Sequence, residues 1–459
     1  MMQRRGFLRS AGAAAAAAAA GGCRSGRAAR QTKAASGGRL RVAVIGAAGR
    51  GEANLATALD AGENIVALCD VDETALLAAR DKVALVNPSV RLYRDFRVLF
   101  DSEKGLDAAV ISTPDHGHGI QAAWALRRGC HVYLETPAAR TLAELAALRE
   151  LARRCGAVVQ VGDACCATEE YRRAVEALSS GLLGRVAEVH VWTNRPVWPQ
   201  GLRRPEGGDP VPDWLDWDLW LGGAPLRPFK SKVYHRFNWR AWHDFGTGAL
   251  GDAGTQALGL AFRALELAAP VRAESASIEA RAEEAYPLSS MVRFDFAARD
   301  KRRPAVTMMW YDGFCRPPAE LMPQMAFGPQ CPSSGCLLVG EQGVWASTDD
   351  TGTRHVLALR GEAKAVNVER HEACLAVPVS LPRTKGHMRE FFDAVRSGGR
   401  PFAALETMAA VSECVLVGCV AQRVPGTLEW ESRKGRFRKN DAANALVTPV
   451  FREGWNYLT

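Results

Sequence analysis

Acidic side chains are missing from the first forty residues of this 459-residue chain, which carry eight basic ones. Those eight account for the whole excess of 58 Lys and Arg over 50 Asp and Glu, so the remainder holds 50 of each sign. A neutral body argues against general affinity for nucleic acid or an anionic membrane, and no nucleic-acid partner is expected. Internal repeats, coiled-coil heptads and long charge blocks are also lacking. The 12 Cys do not combine with His at zinc-like spacing, so no metal is expected. They read as mostly free thiols: Cys69, Cys130 and Cys155 fall in apolar segments, Cys165 and Cys166 are adjacent, and Cys331 and Cys336 are close enough to be considered for one bridge. With 47% hydrophobic and 24% charged residues, the composition is globular, and the length calls for two domains.

The basic start reads as an address. Gln3-Arg4-Arg5-Gly6-Phe7-Leu8-Arg9 precedes a soft run from Ala11 to Gly22 that contains eight consecutive Ala. That run is too short and too weakly apolar to span a bilayer. It has the layout of an export signal, and the Arg pair before Phe-Leu resembles the twin-arginine type; a disordered basic tail is the alternative. Residues 1–38 are therefore assigned to signal and linker, with a periplasmic or extracellular destination. Ala20-Gly21-Gly22-Cys23 loosely resembles a lipid-attachment site at Cys23, without the usual Leu.

Residues 39–161 read as a dinucleotide-binding domain. The β-branched run Leu40–Ile45 predicts a buried strand and leads straight into Gly46-Ala47-Ala48-Gly49-Arg50-Gly51. A helix from Glu52 to Ala61 follows, then a strand Asn64–Cys69 that ends at Asp70. Gly46 to Asp70 spans 24 residues, near the interval at which an acid binds the ribose diol. Gly46 permits the tight turn, small Ala48 and Gly49 let amide groups approach a pyrophosphate, and Gly51 permits close helix–strand packing. The helix start, with Arg50, supplies positive potential. A carboxylate at Asp70 favours NAD(H) over NADP(H). The middle glycine of the usual motif is Ala48. Further helices (Thr74–Val83, Ile120–Arg128, Leu142–Cys155) alternate with strands (Asp107–Ser112, His131–Leu134, Ala157–Val161). This pattern implies a doubly wound parallel sheet, with loops Ser112–His118, Glu135–Pro137 and Gly162–Cys165 lining its crevice.

Those loops, together with Gly248-Ala249-Leu250-Gly251-Asp252, make the sequence resemble the Gfo/Idh/MocA oxidoreductases. Val191–Pro196, Trp217–Gly222, Phe237–Arg240, Asp244–Gly248 and the stretch from Gly386 to Trp455 resemble its exported branch. The resemblance implies that residues 162–459 form an α+β domain with an open, mainly antiparallel sheet, one face of which makes a homo-oligomer interface. It also implies a substrate between the domains. Cofactor contacts carried over are Thr113, Pro114, His116, His118 and Glu135. The family's E-K-P here reads Glu135-Thr136-Pro137, and its Asp-x-x-x-His reads Asp252 to Gln256. Thr136 and Gln256 form hydrogen bonds but exchange no protons, whereas a positioned acid or base contributes about 10²–10⁴ in rate. Asp252 and Gln256 share one helix face.

Asp252, His235, Thr136 and Gln256 are thus the catalytic candidates, and Arg195, Trp198, Tyr234, Arg240 and His243 the substrate-binding ones. Arg and Trp suit sugars and carboxylates through forked hydrogen bonds and stacking, with core packing the alternative for each Trp. His243 is read more readily as packed beside Trp239 and Trp242 than as a new base, and Tyr234-His235 equally well as a surface turn. His116-x-His118 could mark a metal, but the family loop explains it without one. In the second domain Thr307–Tyr311, Gly335–Val339, Val344–Ala346 and Leu428–Trp430 read as strands, and His387–Arg396 and Met408–Gln422 as helices. Pro317–Ser334 reads as a loop over the pocket. Two functions follow: an NAD-dependent oxidoreductase of a sugar, polyol or glycoside, redox-neutral with a tightly held cofactor; or a degenerate NAD- and carbohydrate-binding subunit.

Overall fold

The computed structural model describes residues 38–301, 303–321, 331–349 and 351–458. The Arg-pair leader with Cys23 and the centre of the Pro317–Ser334 stretch lie outside the described residues. In the first part of the chain β1 (Arg41–Ile45), α1 (Arg50–Asp60), β2 (Asn64–Cys69), α2 (Glu73–Ala84), β3 (Arg91–Tyr93), α3 (Phe96–Ser102), β4 (Ala108–Ile111), α4 (Asp115–Arg127), β5 (His131–Leu134), α5 (Leu142–Cys155) and β6 (Val159–Val161) alternate. The six strands form one parallel sheet in the order β3-β2-β1-β4-β5-β6. This is the doubly wound order of dinucleotide-binding sheets. Strands β1 and β4 are buried along nearly their whole length, which is why their sequences are continuously apolar rather than alternating. β3 and α3 escape a reading by pattern because three half-exposed residues make no apolar run.

The helix ends follow side-chain chemistry. Asp72 and Asp95 accept the Ala75 and Arg97 amides at the starts of α2 and α3. At the start of α5, Thr141 caps the Glu144 amide and donates its hydroxyl to the Glu144 carboxylate at 3.0 Å, and left-handed Gly156 ends the helix.

The second domain contributes α6 (Glu169–Ser179), β7 (Val186–Trp192), α7 (Trp217–Leu221), α8 (Gly248–Ala264), β8 (Arg272–Glu279), β9 (Ser289–Phe296), β10 (Val306–Asp312), β11 (Gly335–Gly340), β12 (Gly343–Ser347), β13 (His355–Leu359), β14 (Val366–Asn367), α9 (Glu372–Leu375), α10 (His387–Ser397), α11 (Leu405–Arg423), β15 (Leu428–Glu431), β16 (Arg436–Phe437) and α12 (Asp441–Asn444). Its ten strands run β14-β13-β12-β11-β7-β10-β9-β8-β15-β16. Only β7 and β10 are parallel neighbours among them, so the sheet is mixed and mainly antiparallel. α11 is long and apolar enough to cross a membrane, but it is buried against α8, β8 and β9 on one side and α5 and β6 on the other. α10 packs Met388, Phe391, Phe392 and Val395 onto Val44, Leu68, Val110 and Tyr133 of the parallel sheet, locking the two domains together.

Cys331 and Cys336 are free thiols, not bridged to each other. Cys69 and Cys130 are buried in the core, whereas Cys155 is only half-buried, at the end of α5. Burial pushes the Cys69 and Cys130 thiols up, that of Cys130 to about 12, so both act as small hydrophobic groups.

Gly51 is the tightest point of the first β–α unit. A Cβ there would stand 2.0 Å from the Gly46 carbonyl oxygen. Gly51→Ala is expected to destabilise the protein by about 3 kcal/mol or more, because main chain rather than a flexible side chain must yield. Thermal denaturation of the variant checks this; an unchanged midpoint would refute the packing role.

Candidate functional site

The strand order reverses between β1 and β4, so the loops that follow them part, and a cavity of about 650 Å³ opens between the domains at that point. One end is built by the glycine turn. Gly46 (φ 83°) turns the chain under Ser112, whose carbonyl group a Cβ would meet at 2.8 Å. Gly49 (φ 56°) caps α1 and faces open space, with nothing within 4 Å of the position a Cβ would take. Ala48, Gly49 and Arg50 line the cavity at the N-terminus of α1, whereas Gly51 stands behind the turn as its packing contact.

Asp70 lines the same cavity at the end of β2. One carboxylate oxygen accepts the Ala47 amide at 2.7 Å and the other the Asp72 amide at 2.9 Å. Burial raises its pKa against the pull of those two bonds. The carboxylate is thus oriented by the turn itself, and each oxygen keeps a lone pair for a further donor. Asp72 was not legible as a site residue. It caps α2, accepts His235 Nε2 at 3.0 Å and pairs with Arg236 at 2.8 Å, tying the second domain to the cofactor ridge. Burial opposes ionisation of Asp72, but its bonds from His235 and Thr74 and the Arg236 charge outweigh it and hold the carboxyl far below the usual range.

The middle of the cavity is built from the loops after β4 and β5. Thr113 and Pro114 line it. Asp115 to His118, read as loop, are instead the first turn of α4, because Pro114 is a ready helix start. His116 points Nε2 at the Trp220 carbonyl (2.8 Å) and Nδ1 at that of Phe245 (3.3 Å). His118 lies 2.7 Å from the carbonyls of both Pro137 and Thr113. Burial lowers both imidazole pKa values, that of His116 to about 4. Each neutral ring has one N–H to donate, so each braces main chain at the cavity wall through one of its two carbonyl neighbours. Glu135 is buried, accepts Asn54 Nδ2 at 2.7 Å, and has its pKa raised by that burial. Gly162 lies so close that a Cβ there would meet the Glu135 carboxyl at 2.7 Å.

Away from the glycine turn, Thr136 and the α8 residues Asp252 and Gln256 line the cavity together. Asp252 accepts Arg240 Nε at 2.8 Å and lies 3.5 Å from Arg195, so one carboxylate serves two guanidinium groups. Arg240 is in turn sandwiched against Trp239 (4.3 Å) and Phe237 (4.6 Å). His235 also lines the cavity, but at the Asp70 end, where it meets Asp72.

Three of the proposed substrate contacts are not at the cavity. Trp198 is buried and donates to Gln200 at 2.8 Å, supporting Arg240 from behind. Tyr234 is buried among Trp217, Trp242 and Phe245. His243 packs edge-on against Tyr286 (4.6 Å), and burial holds its pKa well below the usual value. Each is an aromatic ring with more apolar surface than the loop could leave exposed, and the core takes it. Trp220 and Trp455 line the cavity without having been singled out from the sequence, and Asp115, inside the loop Ser112–His118 expected at the crevice, was given no role of its own. Only Asp115 carried a signal, as the sole acid in the loop after β4. Among the described residues no group of three or more His, Cys, Asp or Glu could hold a metal ion.

A parallel sheet of this order, a glycine turn under open space and an acid at the end of β2 define a two-domain dinucleotide-binding protein. Residues 40–163 match the model of an oxidoreductase family's NAD-binding Rossmann fold, and residues 176–275 match that family's C-terminal alpha/beta domain. The two matched stretches are thus similar to the two domains of the Gfo/Idh/MocA oxidoreductase family.

Among curated relatives, an inositol 2-dehydrogenase of Salmonella typhimurium is 28% identical over 28% of this chain and 38% of its own length. A glycosyl hydrolase family 109 protein of Solibacter usitatus is 33% identical over 23% of this chain and 26% of its own length. The chain thus spans well under two thirds of the curated relatives it matches. An inositol dehydrogenase homolog from Azotobacter vinelandii, solved with NADH and myo-inositol, covers 85% of this chain and 98% of its own, with TM-score 0.57 at 18% identity. The WlbA dehydrogenase from Bordetella pertussis, solved with NADH and UDP-GlcNAcA, covers 86% and 99%, with TM-score 0.58 at 14% identity. Likeness at such identities concerns the fold.

Proposed function

We propose that this protein is an NAD-dependent oxidoreductase acting on the carbinol group of a sugar, polyol or glycoside. The carrying observation is one cavity that joins the glycine turn and Asp70 at one end to Asp252, Arg195, Arg240, Thr136 and Gln256 at the other. The residues present fit the dinucleotide. The amides of the turn and the start of α1 suit its pyrophosphate, the space over Gly49 is open, and Asp70 suits a ribose diol while opposing a 2′-phosphate. When bound, NAD supplies hydride acceptance and donation.

At the substrate end Thr136 and Gln256 orient hydroxyl groups, while Arg195 and Arg240 offer forked donors to a polyol or a carboxylate. Inositol and glycoside chemistry in the names of the curated relatives supports this substrate class. The leader supports export of the folded protein by the twin-arginine route. The cofactor would then be retained for lack of an external pool, and the overall reaction would be redox-neutral. Pairing of copies through the second sheet completes the proposal.

A second reading, a binding or assembly subunit without turnover, is favoured by Thr136 and Gln256 standing where the family has Lys and His. The two readings separate when the purified protein, charged with NAD⁺, is mixed with a panel of inositols, aldoses and uronates. Growth of reduced-nicotinamide absorbance with any member is expected. Binding of sugar without such growth would leave the second reading.

A further inference from the structure

We infer that Asp115 is the proton acceptor and donor of the pocket, doing the work for which Thr136 and Gln256 lack the chemistry. The inference deepens the proposed function and rests on it for the substrate, but not for the state of the carboxyl group.

The other acids and imidazoles considered as candidates along the cavity are committed elsewhere. Asp252 is shared between Arg240 and Arg195. His116 and His118 have both ring nitrogens against main-chain carbonyls. Glu135 is held by Asn54 and walled in by Gly162, and His235 is bound to Asp72. Asp115 differs. It opens α4 at the cavity wall, is 3% exposed, and its carboxyl has a single hydrogen bond, from Thr247 Oγ1 at 2.6 Å. One lone pair of a carboxylate is thereby used and the rest are left.

Its charged surroundings come from every side. Asp252 of α8 disfavours its ionisation, Arg240 and Arg140 favour it, and its own charge in turn opposes ionisation of Tyr286 and Cys419. Burial is the largest influence, and the pKa rises to about 7. A carboxyl poised there can both take and return a proton at neutral pH. In the oxidising direction the substrate O–H bond breaks and its proton passes to Asp115. The C–H electron pair leaves as hydride to the oxidised nicotinamide that the proposed function names, and a C=O bond forms. Reduction reverses each transfer.

The pH sign follows. The acceptor form predominates above about pH 7 and the donor form below it, so oxidation rises and reduction falls as pH passes through that value. Asp115→Asn keeps the shape and an acceptor for Thr247. Infrared difference spectra of the wild type against this variant should show a protonated-carboxyl band that disappears with a midpoint near pH 7. With the sugar panel, the variant should lose about 10²-fold or more in turnover and the pH dependence with it. NADH affinity, read by titration, should change less than about twofold. A carboxyl band with its midpoint below about pH 5, near the unperturbed range, would overturn the inference. So would unchanged turnover or an unchanged pH profile in the variant. If the wild type binds no NADH, the proposed function fails separately, and the infrared titration still decides the state of Asp115.

Discussion

Asp70→Ala is expected to lower NADH affinity by about 100-fold. Two ribose hydroxyl groups donating to one carboxylate contribute about 1.5–3 kcal/mol each, and every 1.4 kcal/mol is tenfold. The lower end of that range gives the stated loss, because solvent can refill part of the site. Preference should change as well. With the carboxylate gone, a 2′-phosphate no longer meets a like charge, so the ratio of NADH to NADPH affinity should narrow. Titration of both nucleotides into wild type and variant measures this. Asp70 also holds the Ala47 and Asp72 amides, so thermal denaturation is needed alongside to separate a disturbed turn from a lost ligand contact. An intact turn with undiminished NADH affinity would remove Asp70 from the ribose site.

The second large effect is a gain. Thr136→Lys combined with Gln256→His is expected to raise turnover by about 10²-fold, the contribution of a positioned acid or base. Both positions line the cavity, and the lysine reaches into its open volume rather than into packed core. The gain should be larger in the Asp115→Asn background than in the wild type, since the new groups and Asp115 supply the same proton transfer. Steady-state rates of the four proteins with the sugar panel form a double-mutant cycle for this coupling. Equal gains in both backgrounds would mean that Asp115 and the introduced pair act independently.

The first domain was legible because its signals are local. A continuous apolar run, a glycine turn and an acid 24 residues on lie close together in the chain, and the structure places the turn and the acid at one cavity. The second domain's layered order was available only through family resemblance. Its sheet joins strands far apart in sequence, such as β7 with both β10 and β11, and no local pattern encodes that pairing.

The cavity divides in the same way. Thr136, Asp252 and Gln256 come together as their motifs implied. Trp198, Tyr234 and His243 do not, because neighbouring residues on an irregular loop alternate between cavity and core without a period to read. Asp115 was passed over for a different reason. Its importance lies in the contact with Thr247, 132 residues away, and in burial, neither of which is written near it in the chain. The same holds for Asp72, whose partners His235 and Arg236 arrive from the other domain.

The account stands on the crevice between β1 and β4 being a seat for an adenine dinucleotide. Calorimetric titration of the purified full-length protein with NADH, preceded by mass analysis of anything released on denaturation, tests that seat directly. One dinucleotide per chain, either released as NAD(H) or taken up in preference to NADPH, is the predicted result. A protein that releases no nucleotide and gives no saturable heat with NADH would contradict the account and leave a shared scaffold without its chemistry.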